Sequence, residues 1–154
     1  MTRVAFLIII VSGLACAQSH PNFSGTWKLN VAESDYSDKR AVVPDRLVLT
    51  IQLKNDRIKL HNDWAKGDKK NNFDVDVTIG GSPYESDAAG IVTAEWKGDG
   101  LIVSILYNPG SDRQSDQVET WTLAPDGKKL IDEVIVHPPR NAAEVHIKRV
   151  FDKQ

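Results

Sequence analysis

Apolar positions in this chain recur mostly at intervals of two, the period of a half-buried β-strand. Leu47, Leu49, Ile51 and Leu53 alternate with Val48, Thr50 and Gln52. An Asn55-Asp56 turn follows, and then Ile58, Leu60, Asn62 and Trp64 alternate with Arg57, Lys59, His61 and Asp63. Lys66 to Asn71 reads as a charged loop. Beyond it, Phe73, Val75, Val77 and Ile79 alternate with Asp74, Asp76 and Thr78 until Gly80-Gly81-Ser82-Pro83 turns the chain. Tyr84 to Ala89 reads as a short edge strand. Two hairpins of similar design come next: Ile91 to Lys97 and Gln117 to Leu123 each contain a Trp, each meets an Asp-Gly turn, and each resumes with Leu-Ile. Pro138-Pro139 ends the penultimate strand, and Val145, Ile147, Arg149 and Phe151 share one face of the last.

Ser24 to Asn30 supplies the first strand, with Gly25, Trp27 and Leu29 on one side. Val31 to Asp45 is polar, closes on Pro44, and has room for one short helix or a loop over a barrel mouth. The pattern therefore predicts an all-β protein, an antiparallel up-and-down β-barrel of about 8–10 strands, since a long meander avoids exposed edges by closing on itself. A β-sandwich is the alternative, but it calls for longer cross-over connections than these turns provide.

Composition alters this picture at the N-terminus. Arg3, the apolar run Val4 to Val11 and Ala15-Cys16-Ala17 have the order of an export signal, so 1–17 is expected to be a signal peptide and 18–154 a single barrel domain. Cys16 either leaves with that leader or becomes a lipidated terminus. Gly13 stands where a lipidation site usually has Leu, which favours the first. Without its lone cysteine the mature chain must fold on its core, with no disulfide. Lys and Arg number 19 against 21 Asp and Glu, a balance with no nucleic-acid footprint. No segment after the leader is apolar enough to span a membrane as a helix. The expected product is exported, periplasmic or secreted, and monomeric.

Both ends carry a resemblance. Phe23-Ser24-Gly25-Thr26-Trp27-Lys28-Leu29 is similar to the opening strand of fatty-acid-binding proteins and, through Gly25-x-Trp27, of lipocalins. Lys148-Arg149-Val150-Phe151-Asp152-Lys153 is similar to the closing strand of fatty-acid-binding proteins. Most of 22–154 also resembles secreted bacterial lipocalin-like proteins, which share the Gly-Thr-Trp-Lys-Leu-Asn start, both Trp hairpins and the basic, aromatic finish. The resemblance implies a calycin-type barrel around a cavity for a small apolar molecule. In fatty-acid-binding proteins an Arg and a Tyr of the last strand grip the ligand carboxylate. Arg149 matches the Arg, but Phe151 replaces the Tyr and has no hydroxyl, and Val31–Asp45 is shorter than that family's two-helix lid.

Arg149 thus has two readings. It either points into the cavity toward an anionic head group, or lies across Trp27 and closes the floor by a cation–π contact, the favoured reading. Glu119, in phase with Trp121, is a candidate internal partner. The expected ligand site is lined or closed by Trp27, Tyr107, Trp121, Arg149 and Phe151. The four tryptophans, Trp27, Trp64, Trp96 and Trp121, read first as core filler, with an aromatic lining for a ligand as the alternative. Asp74, Asp76, Thr78 and Glu85 have calcium-loop spacing, but Ile79 stands where Gly is needed. His61, His137 and His146 lack metal spacing. Asp132 and Glu133, adjacent on a strand, face opposite sides and make no dyad. No cofactor motif and no catalytic set appear. The leading expectation is an exported binding protein for a small hydrophobic or amphipathic molecule. The alternative is a side-chain-filled structural or interaction barrel, and an enzyme ranks last.

Overall fold

The computed structural model describes residues 20–140 and 142–154. The predicted leader, with Cys16, lies outside the described residues. Among the described residues ten antiparallel strands form one sheet: β1 (Gly25–Leu29), β2 (Arg46–Lys54), β3 (Arg57–Lys66), β4 (Lys69–Thr78), β5 (Tyr84–Ser86), β6 (Gly90–Lys97), β7 (Gly100–Tyr107), β8 (Ser115–Leu123), β9 (Lys129–His137) and β10 (Val145–Lys153). Their order is β4-β3-β2-β1-β10-β9-β8-β7-β6-β5. Every sequential pair from β1 to β4 and from β5 to β10 is a hairpin, and β1 joins the two halves by pairing with β10. The result is a nearly closed up-and-down barrel whose first and last strands lie side by side.

The barrel closes at a seam between β4 and the β5–β6 hairpin. No ladder crosses it. Gly80 donates its N–H to the Ala94 carbonyl at 2.7 Å, and the Tyr84 hydroxyl donates to the Asp74 carbonyl at 3.1 Å. Alternating charges along β4 and the brevity of β5 protect these two edges from pairing with other chains.

Two expectations are corrected or resolved. Lys66 to Asn71 is no loop: β3 runs to Lys66, turns through Gly67-Asp68, and β4 starts at Lys69. Asp45 fixes this turn, its carboxylate accepting from Lys66 Nζ and from the Gly67 N–H, both at 2.8 Å. The segment after β1 is a loop, with no helix. It runs along β10, exchanging backbone hydrogen bonds between Asp35 and Lys148 at 2.7 and 3.0 Å. In the β2–β3 turn, Asn55 and Asp56 both take positive φ (50° and 58°), as a tight primed turn demands of non-glycine residues.

Inward alternation builds the core from Leu49 and Ile51, Ile58, Val75 and Val77, Val92, Leu101 and Val103, and Leu130. Trp27, Trp121, Phe23 and Phe151 are its largest fully buried side chains. Phe23 enters from just ahead of β1, and its carbonyl accepts from Trp27 Nε1 at 2.8 Å. Gly25, between them, has φ +147°, and a Cβ there would lie 2.9 Å from Lys153 Cε. Only glycine takes that backbone conformation readily. Gly25→Ala is therefore expected to destabilise the fold by roughly 1–3 kcal/mol, read as a lower urea midpoint with unchanged slope.

Candidate functional site

Three neighbouring strands each send one charged side chain into the barrel. Arg149 of β10 stands opposite Asp132 of β9, which stands opposite Trp121 of β8. Glu119 lies two residues before Trp121, on the same face. Period-two alternation places all of them inward among apolar neighbours.

Their hydrogen bonds join into one network. Arg149 Nε donates to Asp132 Oδ2 at 2.7 Å, and Nη2 donates to Glu119 Oε1 at 2.6 Å while lying 2.6 Å from Asp132 Oδ2. Glu119 also accepts from Gln117 Nε2 at 2.5 Å through Oε1, and from Trp121 Nε1 at 2.9 Å through Oε2. Glu119 therefore accepts from three donors. Asp132 is 0 % exposed, and its Oδ1 is a buried oxygen with no partner. Burial pushes the Asp132 carboxyl well above the usual carboxylate range, against the pull of Arg149 and with added push from Glu119. Two acids share one guanidinium, and Asp132 is the more deeply buried of the two and has the fewer donors.

This carboxyl gives stability a definite pH dependence. Its raised native value means that the folded chain holds a proton which the unfolded chain releases near the ordinary value of about 3.9. The contribution is full below that value and is lost as pH rises through the native one. Urea unfolding across the acidic-to-neutral range should show wild type losing stability relative to Asp132→Asn as pH rises. A parallel pair of curves would contradict a retained proton.

Two phenols face the same cluster. Burial raises the Tyr107 hydroxyl to about 12, with Glu119 adding to the rise and Arg149 opposing it. Burial also raises Tyr36, from the loop after β1, where Arg149 opposes and Asp132 adds. A cavity of about 40 Å³ lies beside the network. Arg149, Glu119, Trp121 and Asn62 give it polar groups, and Phe73, Val75, Val103 and Ile105 are among its apolar walls.

The residues expected at the site fall into two sets. Trp121 and Arg149 line the cavity, and Tyr107 stands within electrostatic reach of Glu119 and Arg149. Trp27 and Phe151 are fully buried in the apolar core and are not among the residues lining the cavity. The proposed Arg149–Trp27 stack is corrected: Lys153 Nζ sits over the Trp27 ring, 5.1 Å from its centroid. Lys153 is the register partner of Trp27, whereas Arg149 is four residues away, roughly 13 Å along a strand. Glu119 is the internal partner of Arg149. Asp132, Asn62 and Tyr36 were not picked out from the sequence as site residues. Strand phase with Leu130 and Val134 is the signal that places Asp132 inward.

The other tryptophans are placed differently. Trp96 stacks under His20 with centroids 4.2 Å apart and donates to Asp56 Oδ1 at 3.2 Å, while Trp64 packs at the edge of the core. His137 and His146 both approach Glu144, at 3.3 and 3.2 Å, on the surface. Among the described residues, no three His, Cys, Asp or Glu side chains gather to hold a metal ion, and no helix is long and apolar enough to cross a membrane.

These features define a nearly closed up-and-down β-barrel, an antiparallel meander whose interior wall carries polar groups beside a cavity. Solved structures share the architecture. Secretory abundant heat soluble protein 4 from Ramazzottius varieornatus is 15% identical, with a TM-score of 0.62 over 90% of this chain and 99% of that one. A second secretory abundant heat soluble protein from that organism is 11% identical, with a TM-score of 0.55 over 89% and 98% of the two chains. Human cRBP IV is 16% identical, with a TM-score of 0.50 over 87% and 99%. At such identities the likeness speaks for the fold alone. No family model matches the chain, and no curated protein matches it.

Proposed function

We propose that this chain is an exported binding protein that takes one small hydrophobic or amphipathic molecule into the barrel. The observation that carries this reading is the Arg149–Glu119–Asp132 network beside a cavity in an otherwise apolar interior. Such a buried network adds little stability over apolar packing, so its retention favours a recognition role. Trp121 and Arg149 would meet the ligand, Tyr107 would border it, and Trp27 and Phe151 would close the floor. The leader-like order of 1–17 supports export, to the periplasm or beyond, of a single domain at 18–154. We further propose a monomer and assign no catalytic step.

The cavity of about 40 Å³ is far below the roughly 300–1,000 Å³ of most ligand pockets. Uptake would require the wall to widen, and the seam between β4 and β6, crossed by few hydrogen bonds, is where it resists least. The same volume favours a second reading, a barrel filled by its own side chains. Native mass spectrometry and tryptophan quenching against fatty acids, retinoids and haem separate the two. Saturable one-to-one uptake of at least one class is expected. No uptake of any would leave the filled barrel.

A further inference from the structure

We infer that the barrel selects a ligand with an uncharged, hydrogen-bonding head group, such as an alcohol or amide, and rejects the matching free carboxylate. The inference rests on the binding reading above and names the chemistry that reading leaves open. Its basis is the occupancy of Arg149. A guanidinium captures a carboxylate when its charge is unspent and one edge of its fork is free. Here Nε and Nη2 are already committed to Asp132 and Glu119. With Asp132 ionised the three groups sum to one negative charge, and with Asp132 protonated they sum to zero. Neither state leaves positive charge for a ligand anion.

Glu119 strengthens the point. Its oxygens are fixed by Gln117, Trp121 and Arg149, so it does not swing away as a ligand enters. Glu119 is itself part of the cavity wall, so an incoming carboxylate would meet a like charge at close range. A hydroxyl or carbonyl suffers no such repulsion. Among the described residues Arg149 Nη1 donates to none, which leaves it able to donate to a neutral oxygen. The cavity, about one water in size, is suited to a single polar atom at the end of a chain.

Two matched probe pairs test this: retinol against retinoate, and hexadecanol against hexadecanoate. Binding is measured at neutral pH by quenching and by competition in native mass spectrometry. Wild type is expected to favour each alcohol on the order of tenfold or more, the scale of one unpaired buried charge or hydrogen bond. Glu119→Gln with Asp132→Asn frees the guanidinium and should reverse the preference. Glu119→Gln alone should move the ratio in the same direction and serves if the double variant does not fold by circular dichroism. Carboxylates binding wild type as tightly as the alcohols would overturn the inference while the binding reading stood. A ratio unmoved by these variants would overturn it as well, since selection would then arise elsewhere. If none of the four probes binds, the inference fails together with uptake of these ligand classes.

Discussion

Trp27→Ala should lower stability by roughly 3–5 kcal/mol, the range for deleting a large buried aromatic. The indole is 0 % exposed. Its removal opens a void between β1, β2 and β10, because the neighbouring strands are held by their ladders and relax only in part. It also leaves the Phe23 carbonyl without the indole N–H it accepts from at 2.8 Å. Phe23 is itself fully buried, set edge-on to Trp121 with centroids 6.1 Å apart. Losing its anchor should loosen the segment that leads into β1. Trp27→Phe keeps much of the volume but not the N–H, so it should fall between, at roughly 1–3 kcal/mol for the orphaned acceptor. Urea midpoints of the two variants provide the measurement. A Trp27→Ala protein within 1 kcal/mol of wild type would mean that this residue does not close the barrel.

The strands and their order were legible because each carries its own alternation, and because turns such as Asn55-Asp56 are local chemistry. The floor was half legible. Gly25-x-Trp27 announced the indole, but Phe23 stands before the strand, where period two has not begun. Lys66 to Asn71 misled because an edge strand needs few apolar residues, so its charges read as a loop. The turn there depends on Asp45, a residue 21 positions from Lys66. Arg149 stands out in the sequence but has a different aromatic neighbour from the one expected, because Lys153, four residues further along the same strand, is the cation in register with Trp27. Asp132 was placed on the face opposite Glu133, which is correct, but adjacent acids were weighed only as a catalytic pair. What a buried carboxylate needs is a cation from another strand, and that pairing is set by register. Cavity volume was out of reach altogether, because it is the residue of packing between side chains on strands distant in sequence.

Arg149→Ala is expected to cost roughly 3–5 kcal/mol, because it strands Glu119 and Asp132 in the interior without their cation. Asp132 already holds its carboxyl well above the usual range while Arg149 is present. Without the guanidinium the Asp132 carboxyl rises further, so the loss should be smaller at acid pH, where protonation removes the stranded charge, and larger toward neutrality. The contrast with an uncharged exchange is informative. Glu119→Gln, Asp132→Leu and Arg149→Met together remove every charge, fill similar volume and keep an acceptor for the Trp121 indole N–H. That triple variant should be as stable as wild type or more so, as buried ion networks replaced by hydrophobic side chains often are. Unfolding of both proteins in urea, followed by tryptophan emission, decides the matter. If the single variant is severe and the triple benign, the network is not what holds the barrel shut, and a recognition role remains its explanation. If the triple variant is as damaged as the single, the three side chains are a structural tie between β8, β9 and β10, and the filled-barrel reading gains the stronger claim.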